Sequence, residues 1–141
     1  HNIRIGETTA EKIKIAVGAV IPSLQEEPDP FIVRGPNLMT AHPVEATITY
    51  QEMAHCLDKS ITRIESSILH VLEQTPPELY SDIVENGIFL SGGGALLRGL
   101  DVRLSEKVNI PFHVAEDPLH AVARGTCLAL KHVGNCTFLK R

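Results

Sequence analysis

The feature that most narrows what this chain can become is a short apolar run, Ile88-Phe89-Leu90, that ends at Ser91-Gly92-Gly93-Gly94 and resumes as Ala95-Leu96-Leu97. Bounded by Asn86-Gly87 on one side and by glycines on the other, the run reads as a buried strand. Three successive residues without Cβ let the backbone approach a flat or anionic ligand and adopt positive φ. A helix from about Ala95 to Lys107 would then present unpaired N–H groups and its positive dipole end to that bend, which suits phosphate. A tight strand-to-helix turn that needs glycine only for close packing explains the same residues equally well. Two nucleotide motifs are excluded. A P-loop requires Lys-Ser/Thr after its last glycine, where Leu96-Leu97 stands, and a dinucleotide fingerprint starting at Gly92 meets Leu97 at its third glycine.

The elements around the bend are set by periodicity and punctuation. Thr8 with Glu11 forms a capping-box pair for a helix whose Ala10, Ile13, Val17 and Val20 share a face, ended by Pro22. Glu26-Glu27-Pro28-Asp29-Pro30 is an acidic, proline-rich loop. Phe31-Ile32-Val33 is a short strand broken by Gly35-Pro36-Asn37, and Val44 to Tyr50 alternates as a half-buried strand does. Thr49 with Glu52 opens a helical stretch on which Met53, Leu57, Ile61, Ile64, Ile68 and Leu72 keep one stripe, as one long helix or as two with a break near Asp58. Thr75 caps a short helix with proline in its first turn, stopped at Asn86-Gly87. Pro111 to Ala115 is another strand, and Asp117-Pro118 caps a last helix running to His132 and closing near Gly134. From Leu57 onward the order helix, helix, strand, helix, strand, helix implies an α/β layer. Its strands are too few for a complete doubly wound sheet, so residues preceding this chain are expected to supply the rest.

Composition removes several functions. At 141 residues and 43% hydrophobic, the chain can bury one core or a core with a small lobe. No apolar run reaches the roughly 20 residues that cross a bilayer as a helix. A net charge of -4 with four Phe, two Tyr and no Trp offers neither a basic footprint nor a stacking platform for nucleic acid. Cys56, Cys127 and Cys136 form no CxxC pair, which points to a reducing cytosol rather than a disulfide framework. The seven histidines fall into no HxxxH or HExxH grouping, so no metal ligand set is assigned. Glu116-Asp117 could suggest paired carboxylates, but adjacent residues leaving a strand diverge. An opening at His1 rather than Met suggests a processed product or a piece of a longer chain.

The segment from Asp82 through Gly87 and Ile88-Phe89-Leu90-Ser91-Gly92-Gly93-Gly94-Ala95-Leu96-Leu97-Arg98-Gly99-Leu100-Asp101 resembles the adenosine motif of the MreB-like bacterial actins. Gln74 to Leu79, Val114 to Pro118 and Ala121 to Thr126 are similar to the stretches flanking that motif, and Ile5 to Lys14 resembles the family's helix beside the nucleotide. Val33 to Leu38 is similar to its β section, so the likeness runs in order to about Leu130. It implies an α/β fold, the second lobe of the actin, sugar-kinase and heat-shock-ATPase superfamily, with a partial inner sheet and a smaller α+β outer subdomain. Residues 1–56 would be that outer subdomain and residues 57–141 the C-terminal part of the inner one.

The resemblance also implies a site. Gly92, Gly93 and Gly94 would pass along adenosine and the adjoining phosphates, while Glu11 and Lys14 reach the ribose hydroxyls. A carboxylate accepts from hydroxyls, an ammonium donates to an oxygen, and at i and i+3 the two point the same way. Glu11 as a capping residue and Lys14 as a solvated cation is the plainer account. Leu96 stands where the heat-shock ATPases carry an adenine-stacking arginine, which favours the filament branch. The parent would bind ATP with Mg2+, hydrolyse it weakly and self-associate into filaments that maintain rod shape, working with cell-wall elongation and membrane-associated proteins on the cytoplasmic face of the membrane. The family's phosphate-clasping turns contain Asp-x-Gly, and none occurs here. The chain alone is therefore expected to be catalytically inactive and to hold no nucleotide tightly. Two other readings remain open: a chaperone or kinase ATPase lobe of the same superfamily, and a stand-alone α/β module for a phosphorylated ligand.

Overall fold

A computed structural model describes residues 1–131. Helix α1 (Glu7–Val17) leads into a loop and an antiparallel pair, β1 (Phe31–Pro36) and β2 (Pro43–Ile48), in which Phe31 faces Ile48 and Pro36 faces Pro43. Val44, Ala46 and Ile48 turn inward on β2 while Glu45 and Thr47 meet solvent, the alternation the sequence carries. β1 runs through Gly35-Pro36 instead of breaking there. Backbone from Asn2 to Arg4 lies alongside it, Arg4 N–H donating to the Pro36 carbonyl at 2.9 Å and Leu38 N–H to the Asn2 carbonyl at 2.8 Å. Asn37 makes the turn beyond it, its side-chain oxygen accepting from the N–H groups of Met39 and Thr40.

Helix α2 (Tyr50–Glu73) is unbroken at Asp58. Its capping box is present in both directions: Glu52 N–H donates to the Thr49 hydroxyl, and Thr49 N–H donates to the Glu52 carboxylate at 2.9 Å. The Tyr50 hydroxyl donates to Glu27 at 2.7 Å and ties the acidic loop to the helix start; that bond holds its pKa above the ordinary 10.0. Helix α3 (Pro77–Asn86) comes next, closed at Gly87 with φ 76°. Then come β3 (Ile88–Leu90), a 3-10 turn (Gly93–Leu96), α4 (Leu100–Val108), β4 (Phe112–Val114) and α5 (Ala121–Lys131). β3 and β4 are parallel, with Ile88 beside Phe112 and Leu90 beside Val114.

Apolar burial collects in two clusters. One joins Ile13, Val17, Ala19, Val33 and Tyr50; the other joins Val20, Ile61, Leu100, Leu104 and Phe112. Neighbours Ala19 and Val20 enter different clusters because extended backbone alternates its sides. α2 serves both, beginning at Tyr50 and reaching Ile61 in the second.

Several expectations are corrected. α1 starts at Glu7 after Gly6 with no side-chain cap, so Thr8 lies inside the helix and the Thr8–Glu11 capping box does not form. α1 also stops at Val17, before Pro22, as Gly18 turns extended, and Ala10 is exposed. Thr75 spends its hydroxyl on the Val71 carbonyl of α2, leaving Pro76 at the N-cap of α3. Ile64 turns outward, and the inward place is taken by Glu65, 4% exposed. Arg103 meets Glu65 at 2.6 Å and Asp58 at 2.8 Å while donating to the Val20 carbonyl at 3.0 Å. Burial opposes its charge, but the bonds to Glu65 and Asp58 prevail and raise the guanidinium pKa. The strand β3 is half-buried on one face, with Phe89 70% exposed on the other. No α-helix starts at Ala95, because the 3-10 turn and Gly99 intervene. Asp117 contacts the His120 ring at 3.1 Å and α5 begins later, at Ala121. The proposed closure near Gly134, the end at His132 and Cys136 lie outside the described residues.

Candidate functional site

Helix α1 buries Ile13 and Val17, and this fixes Glu11, Lys14 and Ile15 on its outer side. Across from them the chain leaves β3 and bends at Gly92, whose φ of 83° is a conformation that side chains rarely tolerate. The bend is pinned by Gly92 N–H donating to the Pro118 carbonyl at 2.6 Å and by Ala115 N–H donating to the Leu90 carbonyl at 3.0 Å. The 3-10 turn then carries Gly93 and Gly94 toward α1.

Between these two walls lies a cavity of about 380 Å³, lined by Glu11, Lys14 and Ile15, by Gly93, Gly94, Leu96 and Leu97, and by Leu119. Four of the five residues singled out in the sequence are thus brought together, although 79 or more positions separate Glu11 and Lys14 from Gly93 and Gly94 along the chain. Gly92 is not in the wall. Its role is to make the turn that delivers the next two glycines.

The glycines themselves separate the two accounts of the motif. A Cβ on Gly94 would meet nothing within 4 Å, and one on Gly93 only the Leu119 Cδ2 at 3.6 Å, an ordinary contact. Neither has a positive φ. Packing among the described residues therefore requires glycine at neither position, and the bare backbone faces open space. Glu11 is similarly released, since the capping box that would have occupied it is absent. The expected α-helix dipole is not aimed at the bend: α4 starts beyond Gly99, and Gly93 and Gly94 open a four-residue 3-10 turn instead.

Chemically the cavity has a mixed character. Ile15, Leu96, Leu97 and Leu119 supply apolar faces able to sandwich a flat ring, Glu11 an acceptor and Lys14 a cationic donor. Ile15 and Leu119 were not singled out from the sequence. A large apolar residue on the wet side of α1, 68% exposed, was the available signal for Ile15. Leu119 carried none, because its place depends on how the 115–120 segment folds back over the bend. Larger clefts of about 670 Å³ lie between Ile21 and Val102 and between α2 and α3, the second almost wholly apolar. Glu116 and Asp117 face different partners, Arg124 at 3.9 Å and His120, and form no carboxylate pair. Among the described residues, no group of three or more His, Cys, Asp or Glu is placed to hold a metal, and Cys56 and Cys127 are exposed thiols.

The family model described as MreB/Mbl protein matches residues 1–137. The chain is 47% identical over 129 residues to the cell shape-determining protein MreB of Escherichia coli, covering 92% of this chain and 37% of that protein. It is 40% identical over 133 residues to the cell shape-determining protein Mbl of Bacillus cereus, covering 94% and 39% respectively. It therefore spans well under half the length of these relatives. Among solved structures, MreB5 of Spiroplasma citri bound to AMPPNP superposes with a TM-score of 0.87 at 34% identity, over 94% of this chain and 39% of that one. A non-polymerising mutant of MamK bound to AMPPNP shares the fold, with a TM-score of 0.72 at 23% identity over 93% of this chain and 39% of that one. With its α/β layout, paired small sheets and helices matching an actin-like lobe, the chain belongs to the MreB/Mbl family.

Proposed function

We propose that this chain forms one wall of the ATP site of a longer, filament-forming, actin-like protein that maintains rod shape by organising cell-wall synthesis. The observation that carries the reading is the cavity whose glycine wall is bare for no reason of internal packing. Solved MreB5 structures bound to AMPPNP and to ADP support it. Gly93 and Gly94 lie along the adenosine and its nearer phosphates, with Gly92 making the turn. Glu11 accepts from ribose hydroxyls and Lys14 donates to a ribose oxygen, while the four apolar side chains hold the base. Mg2+ would accompany the phosphates, held by groups outside this chain, and the chain alone does not hydrolyse ATP.

The first apolar cluster draws only on residues 1–56, which supports a division into an outer subdomain, residues 1–56, and the C-terminal part of an inner one, residues 57–141, with Val20 and Ile21 crossing to the second cluster. The outer part offers a self-association surface through the loop Gln25 to Pro30 and the β section, whose turn exposes Leu38 and Met39, the latter 84% exposed. A contact between unlike surfaces of successive copies propagates as a filament. Wall-synthesis and membrane-associated partners, at the cytoplasmic face of the membrane, belong to the same proposal.

The test uses the full-length protein, a fluorescent ATP analogue and sedimentation with ATP and Mg2+. A Cβ at Gly94 meets nothing within 4 Å, so the unfolding temperature of Gly94→Leu should stay close to wild type while nucleotide affinity falls by about 100-fold or more and sedimenting polymer disappears. A folded Gly94→Leu variant that binds nucleotide normally would overturn the reading.

A further inference from the structure

We propose that Arg98 is a positioning residue that sets the width of the cavity by clasping the end of α1 against the glycine wall. The inference rests on the proposed nucleotide site and adds to it a residue that touches no part of the ligand.

The chain reaches Arg98 directly after Leu97, the last residue of the turn wall. There its backbone forms a parallel bridge with Ala19: Arg98 N–H donates to the Gly18 carbonyl at 3.3 Å, and Val20 N–H donates to the Arg98 carbonyl at 3.0 Å. The side chain then turns back along α1. Its Nη1 donates to the carbonyls of Ile15 at 3.5 Å and Gly18 at 3.4 Å.

The choice of acceptors has a reason. α1 ends at Val17, so the Ile15 carbonyl belongs to the last turn and lacks an intrahelical partner. The same end carries the negative pole of the helix dipole, which a guanidinium stabilises. Distances of 3.4 and 3.5 Å are long for directed hydrogen bonds, so charge carries most of the attraction. Among the described residues this is the only side-chain hydrogen bonding between α1 with its Gly18 end and the segment from Ser91 to Gly99.

Glu11, Lys14 and Ile15 move with α1, whereas Gly93, Gly94, Leu96 and Leu97 move with the bend. Arg98 therefore fixes the distance between the ribose wall and the base wall. Without it the backbone bridge at Ala19 remains as a hinge, and α1 can swing about it. The cost falls on binding, because a wider cavity must be closed by the ligand itself.

Arg98→Gln and Arg98→Lys in the full-length protein test this, at a temperature where circular dichroism shows every variant folded. Without nucleotide, amide hydrogen exchange over residues 14–20 in Arg98→Gln should rise about fivefold, with residues 50–73 of α2 unchanged. Affinities for fluorescent ATP and ADP analogues should fall together by about fivefold, leaving their ratio as in wild type. Arg98→Lys keeps the charge but loses the planar fork, and should stay within about twofold of wild type. Unchanged exchange over residues 14–20, or an equal rise throughout α2, would overturn the clasp. So would a local rise with unaltered affinity. Wild-type protein that binds no nucleotide would instead sink the reading of the cavity, while the exchange result still decides the clasp.

Discussion

The antiparallel half and the parallel half of this chain solve the burial problem to different extents. β1, β2 and α1 close their own core: Ile13, Val17 and Val33 are all but inaccessible, and the start of α2 is fully capped. β3 and β4 bury Phe112 and half-bury Ile88 and Leu90 toward α4, but Phe89 and His113 meet on the open side with ring centroids 5.4 Å apart and planes tilted by 42°. α3 and α5 have no buried residue and expose Leu79, Val84, Val122, Leu128 and Leu130. Antiparallel sheets can keep one wet face, whereas parallel sheets are covered on both. The first half is thus a finished layer. The second leaves one side of its strands and its two helices open.

The largest effect should come from the charged group inside the second cluster. Arg103→Ala would leave Glu65 buried without its partner, and Asp58 and the Val20 carbonyl without their donor. Breaking a buried pair from one side costs about 3–5 kcal/mol, and the lower end applies because Arg103 keeps some contact with water. Urea unfolding of the full-length protein should show that loss. A change below about 1 kcal/mol would mean that the second half holds its inner face by apolar contact alone, as the first does.

A smaller effect tests the finished half. Thr49→Ala removes the hydroxyl that accepts from Glu52 N–H and leaves the backbone N–H that donates to the Glu52 carboxylate. The expected cost is about 1 kcal/mol, the ordinary value of a cap. It should appear as a lower urea midpoint with an unchanged slope, since no core is opened.

How much of the fold and the site was legible in the sequence depended on whether the signal was local. The Thr49–Glu52 box and the stop at Gly87 are contests among neighbouring residues, and each has the predicted place in the structure, while the alternation expected from Val44 to Tyr50 holds as a strand only to Ile48 because Thr49 caps α2. Thr8 shows the limit: the same box pattern fails because Gly6 starts the helix earlier, and the sequence gives equal weight to both starts. Glu65 shows another, since an inward carboxylate is unreadable until Arg103, 38 positions away, is known to face it. At the cavity, the residue types at Gly93, Gly94, Glu11 and Lys14 were legible through resemblance. Their convergence, and the presence of Leu119, arise from tertiary packing that no local pattern encodes. The glycine turn is longer than local propensity predicts: Ala95-Leu96-Leu97 has good helix propensity, but Gly99 at φ 77° interrupts the run.

The smallest effect bears most directly on the unfinished face. Phe89→Ser on this 141-residue chain replaces a ring that is already 70% exposed. Substitutions away from cores and networks stay within about 0.5 kcal/mol, so its unfolding midpoint should hardly move while its tendency to associate falls. In the full-length protein the same change should cost several times more, because there the ring is expected to lie under the rest of the lobe. Equal small effects in both would show the open side of β3 and β4 to be a true surface, with the two halves differing only in sheet type. Equal large effects would place a covering element within this chain itself. Only the unequal outcome preserves the contrast between a closed half and one awaiting its cover.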